Sequence, residues 1–144
     1  MSQSPIRIRT WHKLLAALAA VCLLASASAA MAADNAATEI KTAAEHSEYA
    51  AKSGKVKMVH THLHHVLNCL VGEHGQDFYP PAGNPCKGEG DGALNDLNGS
   101  ADTRTTLQQV KSLAEIGIEV NNLEAAQYIA RAAHALLQSA ASGM

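Results

Sequence analysis

Short motifs that would identify an enzyme are missing from this sequence. It contains no HExxH or CxxC pattern, no nucleophile elbow, no phosphate-binding glycine loop and no c-type haem attachment site. It also lacks a carboxylate-x-x-His motif, which would supply metal ligands in a helical bundle. Each of these chemistries needs particular side chains at a fixed spacing, so the sequence offers no reaction to assign. We therefore predict that the protein is not an enzyme.

Long apolar runs are also scarce, and the one near the start of the chain is short. Three basic residues precede the apolar run Leu14–Leu24, and Ala30-Met31-Ala32 has the A-x-A pattern of a cleavage site. The run is shorter than the roughly 20 residues of a membrane-spanning helix, which disfavours the alternative of a membrane anchor. We predict a secretory signal peptide over residues 1–32, export to the periplasm, and no membrane contact after cleavage.

Positive charge and cysteine are scarce in the remaining chain, residues 33–144. Eight basic residues stand against thirteen acidic ones there, a formal charge of −5 with neutral histidines. Nucleic acid is therefore a poor partner for this chain and cations are a better one. Cys22 leaves with the signal peptide, so Cys69 and Cys86 remain. In an oxidising compartment such a pair predicts one disulfide, with an intermolecular bridge or thiolate metal ligation as alternatives.

Apolar and small residues recur at helical spacing in four segments of residues 33–144. We expect helices over residues 34–52, from just after Gly54 to about Val71, over Thr103–Val120 with Asp102 as its cap, and from Asn122 to about Ser142. Residues 72–101 hold seven glycines and three prolines and follow neither helical nor strand periodicity. The predicted fold class is all-α, an antiparallel four-helix bundle with a long Gly/Pro-rich crossover between helices 2 and 3.

Four histidines fall within six residues of the second predicted helix. We predict that Val59, Leu63, Val66 and Leu70 form the buried seam of this helix. At about 100° per residue, the two flanks of that seam, its shoulders, carry different residues: one carries Met58, His62, His65 and Cys69, and the other carries His60 and His64. Histidines three or four residues apart place their Cβ atoms about 5–6 Å apart, close enough for both rings to bind one ion. We predict two sets of metal ligands. Met58, His62 and His65 form one set, and His60 and His64 form the other. His46 from helix one is a further predicted ligand. Surface histidines on a solvated face are the alternative.

The crossover contains two acidic, glycine-rich stretches, residues 88–92 and 95–99, with the composition of a calcium loop. Their spacing does not match the EF-hand pattern, which needs oxygen ligands at alternate positions and a terminal glutamate. We therefore interpret them as turns. We expect the disulfide to hold the crossover against the shoulder of the second predicted helix that carries Met58, His62 and His65. We expect His60 and His64, on the other shoulder, to face helix one or solvent.

One stretch resembles a known family. Ala43-x-x-His46-x-x-x-Ala50, then Gly54, then Val59-x-x-His62 and Leu67, is similar to the His-bearing Ala repeat of the small periplasmic metal-binding proteins. The resemblance covers Ala43 to about Cys69, and more faintly Ala125 to Ala140. It implies a four-helix bundle that takes up divalent ions, chiefly copper, through histidines and carboxylates, with His46 and His62 as ligands. The second half of this chain is almost free of histidine, which favours a site confined to the first helical hairpin.

Three functions follow as hypotheses. The first is a non-enzymatic periplasmic protein that buffers, carries or detoxifies copper, nickel or zinc, since imidazole suits these ions. The second is a haem-binding bundle that resembles the soluble periplasmic b-type cytochromes, with Met58 and His134 as ligands by analogy. The third is an interaction module that uses the crossover as its contact surface. A homodimer is compatible with each of them.

Overall fold

The computed structural model describes residues 35–98 and 101–144. Within them the helices span residues 35–52 (α1), Val56–Val71 (α2), Ala93–Asp96 (α3), Ala101–Glu119 (α4) and Leu123–Ser142 (α5), with a 3-10 turn at Pro80–Ala82. There is no strand in this part of the chain, so the all-α prediction is confirmed for it. The predicted signal peptide, residues 1–32, lies outside the described residues. Within the described residues, no helix combines the length and the apolar character needed to cross a membrane.

The helix ends follow from local chemistry. The connection from α1 to α2 covers only residues 53–55, and Ser53 N–H donates to the carbonyl of Ala50 at 3.2 Å. The side chain of Asn122 caps α5 by accepting a hydrogen bond from Ala125 N–H at 2.9 Å, as predicted. Asp102 is not the cap of α4, because that helix already begins at Ala101 and Asp102 lies in its first turn.

The core is built from a few large aliphatic side chains and many alanines. Ile40, Leu63, Leu107 and Leu137 are fully buried, one from each of the four long helices. Small side chains let the helices approach closely. A methyl group on Gly117 of α4 would lie 2.6 Å from a Leu63 methyl carbon of α2, so alanine at this position would displace the Leu63 side chain. The predicted seam of α2 is confirmed, since its members have no exposed surface: Val59, Leu63, Val66 and Leu70.

The crossover packs against α2, and residues 66–71 of that helix are all buried. Cys69 and Cys86 form the predicted disulfide, with their Cα atoms 5.3 Å apart. The sequence interpretation did not identify Asn68, which is completely buried. Its amide group donates to the carbonyls of Tyr79 and Gly83 at 3.0 and 2.6 Å, and its oxygen accepts from Tyr79 N–H at 2.8 Å. The residues that follow α2 are thus fixed to it by a covalent bond and three hydrogen bonds.

Two glycines let the far end of the crossover return to α2. Gly72 and Gly92 have φ angles of 73° and 105°, a region that residues with a side chain rarely adopt. The two backbones also pass so closely that a Cβ atom on Gly72 would lie 1.8 Å from the carbonyl oxygen of Asp91. Helix α3 follows at once. The segment predicted to be irregular therefore contains a 3-10 turn and a short helix, both held in place by contacts distant in sequence.

Candidate metal centre

Three histidines from the first helical hairpin converge. Nδ1 of His46, on α1, lies 3.1 Å from Nδ1 of His62 and 3.0 Å from Nδ1 of His65, both on α2. One ring nitrogen from each residue lies within 4.8 Å of the other two. The spacing of His62 and His65 brings both rings to one face of α2, and the short 53–55 connection places His46 opposite them. These three histidines can hold a metal ion.

The crossover determines the protonation of one ring. Nε2 of His65 lies 2.6 Å from the carbonyl oxygen of Ala82. A carbonyl only accepts hydrogen bonds, so Nε2 must carry the proton that it donates. In the neutral ring, Nδ1 of His65 is then an unprotonated nitrogen with a free lone pair. A backbone carbonyl that fixes the tautomer in this way is a common outer partner of metal-binding histidines.

Protons alone do not satisfy the contacts between these rings. His65 Nδ1 can only accept, so His46 must donate its single Nδ1 proton to it. That proton cannot point well at His62 at the same time. If instead His62 donates to His46, two lone pairs face each other across the 3.0 Å between His46 and His65. One cation would satisfy all three nitrogens, because ligands 2.0–2.1 Å from a tetrahedral ion are about 3.3 Å apart.

Burial keeps these rings in the form that binds metal. It lowers the pKa of His46 from 6.5 to about 4, with further lowering from the charges that His65 and His62 would carry. The pKa of His62 is lowered as well, first by burial and then by the neighbouring His65. Both rings therefore remain neutral at pH 7, and neutral imidazole is the ligating form.

These lowered values predict how the stability of the metal-free protein depends on pH. His46 binds its proton near pH 6.5 in the unfolded chain and near pH 4 in the folded one. Between these values the unfolded state binds more protons, so the free energy of unfolding falls as the pH drops from 6.5 to 4. His62 and His64 act in the same direction. Glu39, whose pKa burial raises from 4.5 to about 7, acts in the opposite direction by a comparable amount, so the contribution of His46 is measured as a difference between variants.

Urea unfolding in a chelating buffer at pH 7.5 and pH 5 measures this dependence. Between pH 7.5 and pH 5, we expect the free energy of unfolding of the wild type to fall relative to that of His46→Gln, which cannot bind the proton. An equal change in both proteins would show that His46 does not contribute.

The site lies at the margin of the helical core. All three histidines are partly buried. The ring of Tyr49, one turn after His46, lies 5.6 Å from the rings of both His46 and His62, measured between centroids. Its side chain is 49% exposed, so this aromatic residue borders the site on the solvent side. The three histidines are therefore not sealed from solvent.

The remaining predicted ligands lie elsewhere. His60 donates from Nε2 to the carbonyl of Val120 at 2.9 Å, just after α4. His64 stacks on Tyr79 of the crossover with ring centroids 4.1 Å apart. Neither faces helix one or open solvent, so that expectation is wrong. His60 contacts the residue after α4 and His64 contacts the crossover, while His62 and His65 face His46 of α1 on the other side of α2. The crossover also reaches that second side, through the Ala82 carbonyl on His65. Among the described residues, only His46, His62 and His65 form a group of three His, Cys, Asp or Glu residues within ligating distance.

Three other residues from the sequence hypotheses have distinct places. Met58 is 42% exposed and does not lie in the core. Cys69, on the same shoulder as His62, is bonded to Cys86 and is not available as a thiolate. His134 donates from Nδ1 to the carbonyl of Ala44 at 2.9 Å and thereby joins α5 to α1. The haem hypothesis, which assigns Met58 and His134 as ligands, gains no support from these positions.

Two features of the site could not have been predicted from the sequence. The Ala82 carbonyl that orients His65 belongs to a loop, and any residue type supplies the same carbonyl group. His46, rather than His60 or His64, joins His62 and His65 because of which helix packs on each shoulder of α2. The resemblance singles out His46 and His62, and the structure does bring them together.

The chain was also compared with known proteins. It matches no family model, and neither the curated proteins nor the solved structures contain a match to it. The resemblance to small periplasmic metal-binding proteins thus stays a prediction, carried by the residues quoted for it. The geometry of the three histidines is the firmest guide to what the chain does.

Proposed function

We propose that the protein is an exported, non-enzymatic periplasmic protein that binds one transition-metal ion through His46, His62 and His65. The observation that supports this most directly is the convergence of three imidazole nitrogens, in which His46 Nδ1 carries at most one proton for its two close neighbours. The Ala82 carbonyl adds to it by leaving Nδ1 of His65 free for a metal. In this proposal the four long helices form an antiparallel bundle, of which the first hairpin carries the metal.

The ligand set favours copper, zinc or nickel. Imidazole suits all three ions, whereas calcium and magnesium prefer oxygen ligands. Three protein ligands leave a further coordination position open for water or another donor, unlike the closed four-ligand sites that have structural roles. Together with the exposed border at Tyr49, such a site suits an ion that is taken up and released. Buffering, carriage or detoxification of the metal is therefore the proposed role, and the disulfide fits an oxidising compartment.

Isothermal titration calorimetry with Cu(II), Zn(II) and Ni(II) at pH 7.5 tests this proposal. We expect one ion per chain to bind, with a Kd of about 1 μM or below for at least one metal. The double variant His60→Ala/His64→Ala is the matched control. It removes two histidines of the same helix that lie outside the triad, so its affinity should equal that of the wild type. Binding no tighter than high micromolar for all three metals would refute the proposal.

A further inference from the structure

Four carboxylates meet where α1 passes the end of the crossover. Glu39 of α1 accepts a hydrogen bond at Oε1 from the backbone N–H of Gly92 at 2.7 Å. Around it lie Glu89, Asp91 and Asp96, whose negative charges all act on Glu39. Within the described residues, none of the four forms an ion pair with lysine, arginine or histidine. This junction therefore concentrates negative charge without a balancing cation from the protein.

Glu39 is almost completely buried in this position. Only 1% of its surface is exposed, and its second carboxylate oxygen, Oε2, is buried with no hydrogen-bond partner. Glu89 repeats the pattern, since its Oε1 accepts from the hydroxyl of Thr42 at 2.9 Å while its buried Oε2 has no partner. Buried carboxylate oxygens are normally paired, because an unpaired one loses its hydration without gaining a partner. Two such oxygens at one junction are acceptors that a cation can satisfy.

Gly90 lies between two of these carboxylates. A Cβ atom on Gly90 would lie 2.1 Å from Oδ2 of Asp96 and 3.0 Å from Oε1 of Glu39. The two carboxylate oxygens are therefore at most about 5 Å apart, the sum of those distances. Two oxygens of one calcium shell lie within about 5 Å of each other, since the bonds of calcium to oxygen measure 2.3–2.6 Å. Asp96 Oδ2 also accepts a hydrogen bond from Asp91 N–H at 2.9 Å, which holds this carboxylate in place. The absence of a side chain at Gly90 allows both carboxylates to approach the backbone here.

We propose that Glu39, Glu89 and Asp96 bind a hard divalent cation of the calcium class between α1 and the crossover. Among the described residues, only the three histidines have three ligand atoms within 4.8 Å of one another. The carboxylate oxygens are therefore spaced more widely than the imidazole nitrogens. Calcium accepts such a spacing and completes its shell with backbone carbonyls and water, whereas magnesium demands a tighter octahedron. The bound ion would neutralise the charge at the junction and fasten the crossover to α1.

This site is chemically separate from the histidine site. Oxygen ligands select hard cations, and imidazole selects copper, zinc and nickel. The sequence alone disfavoured calcium because residues 88–99 lack the EF-hand spacing. The ligand that completes the group, Glu39, lies about 50 residues earlier on a helix.

Thermal unfolding of the protein, expressed from its full sequence and stripped with a chelator, tests the proposal. At pH 8 and matched ionic strength, 10 mM CaCl2 should raise the Tm by about 5 °C, the shift for a millimolar or sub-millimolar site. MgCl2 should have a smaller effect. The variant Glu39→Gln should not respond to calcium, although its amide oxygen can still accept from Gly92 N–H. The variant His46→Ala/His62→Ala should respond as the wild type does.

Any of three results would contradict the proposed calcium site. These are a wild-type Tm that calcium does not change, a calcium-induced Tm shift in Glu39→Gln equal to that of the wild type, and a Tm shift in magnesium as large as that in calcium. If Glu39→Gln does not fold, Glu89→Gln decides the matter. Its calcium affinity should fall at least tenfold in a titration, and an unchanged affinity would contradict the proposal.

Discussion

Replacing His46 by alanine should weaken the binding of copper or zinc by about 100-fold or more. His46 is the sole ligand from α1, and its Nδ1 is the atom that lies about 3 Å from both other nitrogens. Without it, His62 and His65 remain as a two-ligand site on one helix, which has lost a third of its metal–nitrogen bonds and the closure between helices. Loss of an outer-shell partner alone costs 10–100-fold in affinity, so loss of a direct ligand should cost at least as much.

The measurement is a competition titration against a chelator of known affinity, at pH 7.5. His60→Ala is the matched control, because it removes an imidazole two residues before His62 that hydrogen-bonds to Val120 instead. Its metal affinity should stay within about threefold of the wild type. Circular dichroism should show that both variants retain their helices. A His46→Ala variant that binds metal as tightly as the wild type would contradict the assignment of the triad.

The largest expected effect on stability comes from removing the disulfide. The bridge joins residues 17 positions apart, and closing a loop of this length stabilises the fold by about 3 kcal/mol in the chain-entropy account. The double variant Cys69→Ala/Cys86→Ala avoids free thiols that would themselves bind metal. Its free energy of unfolding in urea, measured without metal, should be lower by about that amount.

The same variant should also bind metal more weakly, although neither cysteine is a ligand. Cys86 fixes the crossover to α2, and the crossover presents the Ala82 carbonyl that fixes the tautomer of His65. We expect an affinity loss of about tenfold, the lower end of the range for outer-shell partners. The titration should be done at a temperature where the variant is fully folded. An unchanged affinity would mean that the hydrogen bonds of Asn68 hold this part of the crossover without the bridge.

Several elements follow from periodicity and turn chemistry alone. The long helices end close to the residues that their apolar spacing indicated, because a helix repeats its buried positions every three or four residues. The division of α2 into two shoulders was equally accessible, since the angle between residues in a helix is constant. A pair of cysteines in a chain predicted to be exported indicated the bridge between Cys69 and Cys86, which the structure contains.

The sequence by itself thus determined the all-α class, the buried seam of α2 and the grouping of His62 with His65, because each depends on residues a few positions apart. The tertiary structure decided which element packs on each shoulder. Helix α1 brings His46 to His62 and His65, while Val120 and Tyr79 engage His60 and His64. It also placed the carbonyl of Ala82 on His65 and buried Glu39 among the crossover carboxylates. These contacts join residues far apart in the chain, and packing between elements, which no local pattern encodes, selects them.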